Sequence, residues 1–158
     1  MDYARELLSL NESTRQDTRM NQIEMIQQHL IDADGMSGVL FASWQVFELV
    51  RAVTGANADQ ASDMYPAFTF ARGAAVSGRN AIAFAPSLPA DHEPWSGVPA
   101  PVTGDVYEVA DAVAELASVL SGRLRETAGL AADPGDRVAC DNAASDAERI
   151  SRLLAKGE

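Results

Sequence analysis

Arg72 and Arg79 are the side chains least suited to their surroundings, because they interrupt a region, Phe41 to Tyr107, that holds nine of the ten aromatic residues of the chain. A guanidinium presents a planar fork of donors that matches a carboxylate or a phosphate, and its charge is costly among apolar groups unless something pairs with it. The two arginines, with His92 and Trp95 from the proline-rich stretch that follows, are therefore candidates for holding a small anion or an acid-bearing molecule. The competing reading is structural: the stem of each arginine packs while its head reaches solvent or an internal acid. Most of the aromatics are expected in the core.

Other chemistry finds less support. His29 and His92 are the only histidines, no pair of them sits at i, i+4, and Cys140 is the only cysteine. That excludes an internal disulfide framework and a thiolate set for zinc, and nothing calls for a cofactor. Asp32-Ala33-Asp34-Gly35 matches part of a calcium loop, but Ser43 stands where the twelfth-position Glu belongs, so the segment reads as a helix end. Gly73 and Gly78 have P-loop spacing, yet Arg79-Asn80 replaces the Lys and the Ser or Thr that hold phosphate and magnesium. Asp111 and Glu115 fall on the polar face of their helix, where solvation is their expected state. Trp95-Ser96-Gly97 and Tyr107 to Asp111 have the Trp-x-Gly and Y-x-x-x-D spacings of small helical substrates of type VII secretion. Here the tyrosine opens a mid-chain helix instead of following the second helix of a hairpin, so coincidence of two short motifs accounts for them better.

Composition narrows the partners. The formal charge of −11 opposes phosphate backbones, which makes nucleic acid an improbable partner. The acids are spread along the chain, eight against four arginines over Met1 to Ala58 and eleven against six bases over Asp105 to Glu158, as solvated helix faces would have them. The N-terminus lacks the basic start and apolar run of a signal peptide, and Met36 to Thr54 carries Gln45, Glu48 and Arg51, too polar for a membrane span. A cytoplasmic protein without membrane contact is expected. Eleven of the twelve basic residues are Arg, which suggests the coding bias of a GC-rich bacterium.

At 158 residues the chain suits a single domain, 1–158, that buries roughly 70% of its unfolded surface. Apolar spacing predicts a short helix over Asp2 to Leu10 and a second over Ser13 to Ala33, capped by Asn11 or Ser13 and stopped by Gly35. A third over Ser37 to Thr54, closed by Gly55, is apolar around most of its circumference and belongs at the centre or in a subunit interface. Tyr65 to Ser77 reads as a helix stopped by Gly78, with Asn80 to Ala85 extended. Pro86 to Gly104, with five prolines and two glycines, reads as a long loop. Asp105 caps a helix with the seam Val106, Val109, Val113, Leu116, Leu120, Leu124, and Asp133-Pro134 opens a last helix that ends near Lys156-Gly157 with Cys140 on its apolar stripe. The expected fold is all-α, an antiparallel bundle of four main helices plus a short N-terminal one, with the long Pro-rich loop 86–104.

An excess of apolar helix without attached chemistry favours a non-enzymatic module that forms a homodimer or binds a protein partner. The alternative is a small-molecule binding protein or enzyme with its pocket near Arg72 and Arg79 under the 86–104 loop.

Overall fold

The computed structural model describes residues 22–89 and 105–155, and every regular element among them is an α-helix. Helix α1 covers 22–32, α2 Gly35–Asn57, α3 Tyr65–Ala83, α4 Val106–Gly129 and α5 Pro134–Leu154. The expected helix over Asp2 to Leu10, the caps at Asn11 and Ser13, and residues 90–104 of the proline-rich stretch lie outside the described residues. Helix α2 packs on α3, α3 on α5 and α5 on α4, and α4 returns to α2 to close the bundle.

One core cluster draws on all five helices, including Leu30, Phe47, Val50, Phe68, Ile82, Leu116, Leu120, Cys140 and Ile150. The seam foreseen on α4 is buried from Val106 to Leu124, and each fully buried Leu or Val side chain contributes about 1.5–3 kcal/mol. On α5 the stripe Cys140, Ala143, Ala147, Ile150 and Leu154 is buried as its spacing requires. Burial pushes the Cys140 thiol up to about 11, and the nearby charges of Asp136 and Asp141 act in the same direction.

The helix ends follow from local chemistry. Asp105 accepts from the backbone N–H groups of Tyr107 at 2.9 Å and Glu108 at 3.3 Å, and Asp133 accepts from that of Gly135 at 2.7 Å ahead of Pro134 in the first turn. Each side-chain cap stabilises its helix by about 1 kcal/mol. Gly35 has φ 73°, a left-handed backbone that breaks α1 from α2. The carbonyls at the end of α1 are met from across the bundle: the Arg123 guanidinium on α4 donates to Leu30 O at 3.5 Å and to Ala33 O. A cation at a helix C-terminus also answers the partial negative charge there.

A second fastening holds the turn after α3. Asp136, only 2% exposed, accepts from the Ser87 backbone N–H at 3.0 Å and from Ser87 Oγ at 2.5 Å. Ser37 Oγ on α2 donates to Ser87 O at 2.9 Å. This turn thereby joins the start of α2 to the first turn of α5, where an acid is favoured by the helix dipole.

Three expectations are corrected. Helix α3 does not stop at Gly78, and Asn80 to Ala83 is helical instead of extended. Gly78 is buried inside the helix, because a Cβ there would stand 2.9 Å from Phe47 Cδ1 and closer still to Cε1 and Cζ. The missing side chain admits the Phe47 ring and so fixes how near α3 lies to α2. Helix α2 likewise runs past Gly55 to Asn57, with the Asn57 side chain donating to Val53 O at 2.8 Å.

The third correction concerns the aromatics. Trp44, Phe47 and Phe68 are buried, whereas Tyr65, Phe70, Phe84 and Tyr107 are exposed. The phase of α3 points Phe68 inward, which turns Phe70, two residues on, to the other side. The apolar circumference of α2, from Val39 to Val53, is buried within the one chain.

Replacing Gly78 by Ala is expected to destabilise the fold by about 1–3 kcal/mol through overpacking against Phe47. Urea unfolding measures this, and a helix-stabilising gain on Gly78→Ala would mean that the close approach does not exist.

Candidate functional site

Helix α3 carries both predicted arginines on the side facing α2, two turns apart. Arg79 Nη1 donates to Glu48 Oε1 at 2.6 Å, and Arg51 Nη2 donates to Glu48 Oε2 at 3.0 Å. One carboxylate on α2 thus serves two guanidinium groups, and Arg79 has an internal acid. Burial pushes the Glu48 carboxyl up, but the hydrogen bonds from Arg79 and then Arg51, with their charges, outweigh it and hold the pKa below the ordinary value. Two turns away Arg72 lies exposed against Gly55, where a Cβ would be 3.6 Å from its Nε. Arg72 makes no ion pair among the described residues. His92 and Trp95 lie outside the described residues, so the structure does not bring them to this seam.

Two concave surfaces, neither singled out from the sequence, lie at opposite ends of α3. At its C-terminal end an open groove of about 510 Å³ is lined by Ala81 and Phe84 on one side and by Pro134, Gly135, Val138, Ala139 and Asn142 of α5 on the other. Among the described residues no titratable side chain lines it. Phe84 is 86% and Val138 58% exposed, and Leu130 stands exposed in the nearby connection from α4 to α5.

At the N-terminal end of α3 a cleft of about 330 Å³ forms where Met64 meets the first turns of α4 and the last turn of α5. Met64, Ala110, Leu153 and Leu154 give it apolar walls, and Tyr107, Asp111 and Arg152 bring polar groups to it. Tyr107 and Asp111 share one face of α4 at i, i+4. The Tyr107 hydroxyl donates to Asp63 at 2.7 Å. That hydrogen bond, with the charge of Asp63, raises the phenol above its ordinary pKa.

Among the described residues no group of three or more His, Cys, Asp or Glu side chains is arranged to hold a metal ion, and no helix is long and apolar enough to cross a membrane. The chain matches no protein-family model, no characterised protein and no solved structure.

Because its folded pKa is lowered, Glu48 contributes stability that is present above its unfolded pKa and lost as pH falls through the folded value. Glu48→Gln is expected to cost about 1 kcal/mol near pH 7 and much less near pH 3. Urea unfolding at both pH values measures this, and an equal difference at the two would rule out the ion pair as its source.

Proposed function

We propose that this chain is a non-catalytic helical module that pairs with a second copy of itself through the groove between the end of α3 and the start of α5. The observation that carries the reading is Phe84, a large apolar side chain 86% exposed beside a recess of small residues. Exposed apolar surface of this kind marks contact sites. A two-fold interface requires one patch to present both a projection and a recess. Phe84 supplies the projection, and Ala81, Gly135 and Ala139 supply the recess.

Charge supports the same occupant. Arg137 and Asp141, exposed on α5 one turn apart and on either side of Val138, carry opposite signs. A second α5 crossing in the reverse direction matches each with its opposite. The formal charge of −11 on each copy opposes approach at long range, so pairing tightens as salt screens that repulsion. None of the described residues lining the groove is ionisable, which fits contact better than catalysis. The apolar character of α2, which first suggested a subunit interface, does not bear on this pairing, since that helix is covered by its own chain.

Light scattering across a concentration series tests the proposal. The mass is expected to rise from one chain to two, at lower concentration in higher salt, and Phe84→Asp is expected to stay at one chain with unchanged helicity. A wild-type mass of one chain throughout rejects it.

A second reading rests on Arg72, which has no carboxylate partner among the described residues: an acid-bearing molecule held on the α2–α3 seam. Inorganic phosphate is then expected to raise the melting temperature, and Arg72→Met to abolish that rise without changing the ligand-free value. A lower ligand-free melting temperature in Arg72→Met would make the guanidinium structural.

A further inference from the structure

We propose that Ser87 and Asp136 are positioning residues for the pairing of two copies, because their clamp holds the two walls of the groove at the spacing that a second Phe84 requires. Their role rests on the pairing proposed above and names what controls that same site. One wall carries Phe84 at the end of α3, and the other carries Gly135 and Val138 in the first turns of α5. Neither Ser87 nor Asp136 is among the described residues that line the groove. Each stands directly behind a wall: Ser87 three residues beyond Phe84, and Asp136 next to Gly135. Asp136 Oδ1 accepts from the Ser87 backbone N–H at 3.0 Å, and Oδ2 accepts from the Ser87 hydroxyl at 2.5 Å. Between them the Pro86 ring packs on Gly135, where a Cβ would stand 2.9 Å from Pro86 Cγ.

Phe84 caps α3, and the bonds there are local. Its N–H donates to Ala81 O at 3.3 Å, and that of Ala85 donates to Ile82 O at 3.0 Å. Such bonds hold Phe84 to its own helix without setting its distance from α5. The clamp supplies the link across the groove. Asp136 is enclosed, and a buried carboxylate is tolerable only while its oxygens are met. Movement of Ser87 away from α5 strips both oxygens of their donors, so the clamp strongly prefers one spacing of the walls. Ser37 Oγ, donating to Ser87 O at 2.9 Å, ties the same residue to the start of α2. The apparent affinity of a pair falls with the fraction of chains that hold the paired geometry. Loosening the clamp lowers that fraction while leaving every lining residue of the groove unchanged.

Sedimentation equilibrium of the full chain measures the dimer dissociation constant of the wild type, Ser87→Ala, Ser87→Thr and Asp136→Asn. Ser87→Ala keeps the backbone N–H bond to Asp136 and loses only the hydroxyl. Its dissociation constant is expected to rise about tenfold, the order for loss of one charge-assisted hydrogen bond. Asp136→Asn, which removes the charge at nearly constant shape, is expected to weaken pairing at least as much. Ser87→Thr retains the hydroxyl and is expected to pair like the wild type. Circular dichroism verifies that each variant is folded, and melting temperatures are compared at a concentration where each is a single chain. A merely structural clamp would lower the melting temperature of Ser87→Ala and Asp136→Asn without moving their dissociation constants. That result overturns the proposal and leaves the pairing intact. A wild-type mass of one chain throughout rejects the pairing itself, and the positioning role with it.

Discussion

The Phe47 ring occupies the space where a side chain at position 78 would otherwise stand, and the placing of α3 follows from that one contact. Close packing tolerates neither the overlap that a Cβ would create nor the void that a smaller ring would leave. The approach sets the depth of α3 against α2, and its rotation follows, with Phe68, Ala71, Ala75, Gly78 and Ile82 inward. Once that phase is fixed, Arg79 must come beside Glu48, Arg72 beside Gly55, and Phe70 must face out. The last turn of α3 then carries Phe84 past the edge of the core.

The second constraint is the buried Asp136 carboxylate. A charge so enclosed is tolerable only when its lone pairs are met, and Ser87 meets them with both its backbone N–H and its hydroxyl. Pro86, just before it, packs against Gly135. The turn after α3 is thereby fastened to the first turn of α5, so Phe84 and Val138 are neighbours by construction. The groove between them is a by-product of joining two helix ends through a polar clamp. At the other end of α3 the cleft opens where the termini of three helices converge.

These two ends divide the surface by chemistry. Around Phe84 the described lining is apolar except for the Asn142 amide and carries no charge, which suits contact with another apolar surface. Around the other end Met64, Ala110, Leu153 and Leu154 give the cleft apolar walls, with Tyr107, Asp111 and Arg152 among its lining residues. The arginine seam on α2 and α3 lies between them, and there Glu48 has already drawn in two of the three guanidinium groups. Proximity to an internal acid is what separates Arg79 from Arg72, although both stand out equally in the sequence.

The sequence by itself determined the helical class, the burial of the α4 and α5 seams, and the caps at Asp105 and Asp133, because these depend on spacings of three and four residues and on hydrogen bonds spanning two or three residues. The end of α3 was legible too, since Phe68, Ala71, Ala75, Gly78 and Ile82 continue one period through the glycine. Reading Gly78 as a stop set local propensity above that period, and only its packing partner thirty-one positions earlier explains why a glycine belongs inside the helix. The tertiary structure alone decided that Glu48 would neutralise Arg79, that Phe84 and Val138 would line one groove, and that Tyr107, Asp111 and Arg152 would share a cleft. Each of those encounters joins residues far apart in the chain, and their distance is set by how closely helices pack, a quantity that no local spacing contains.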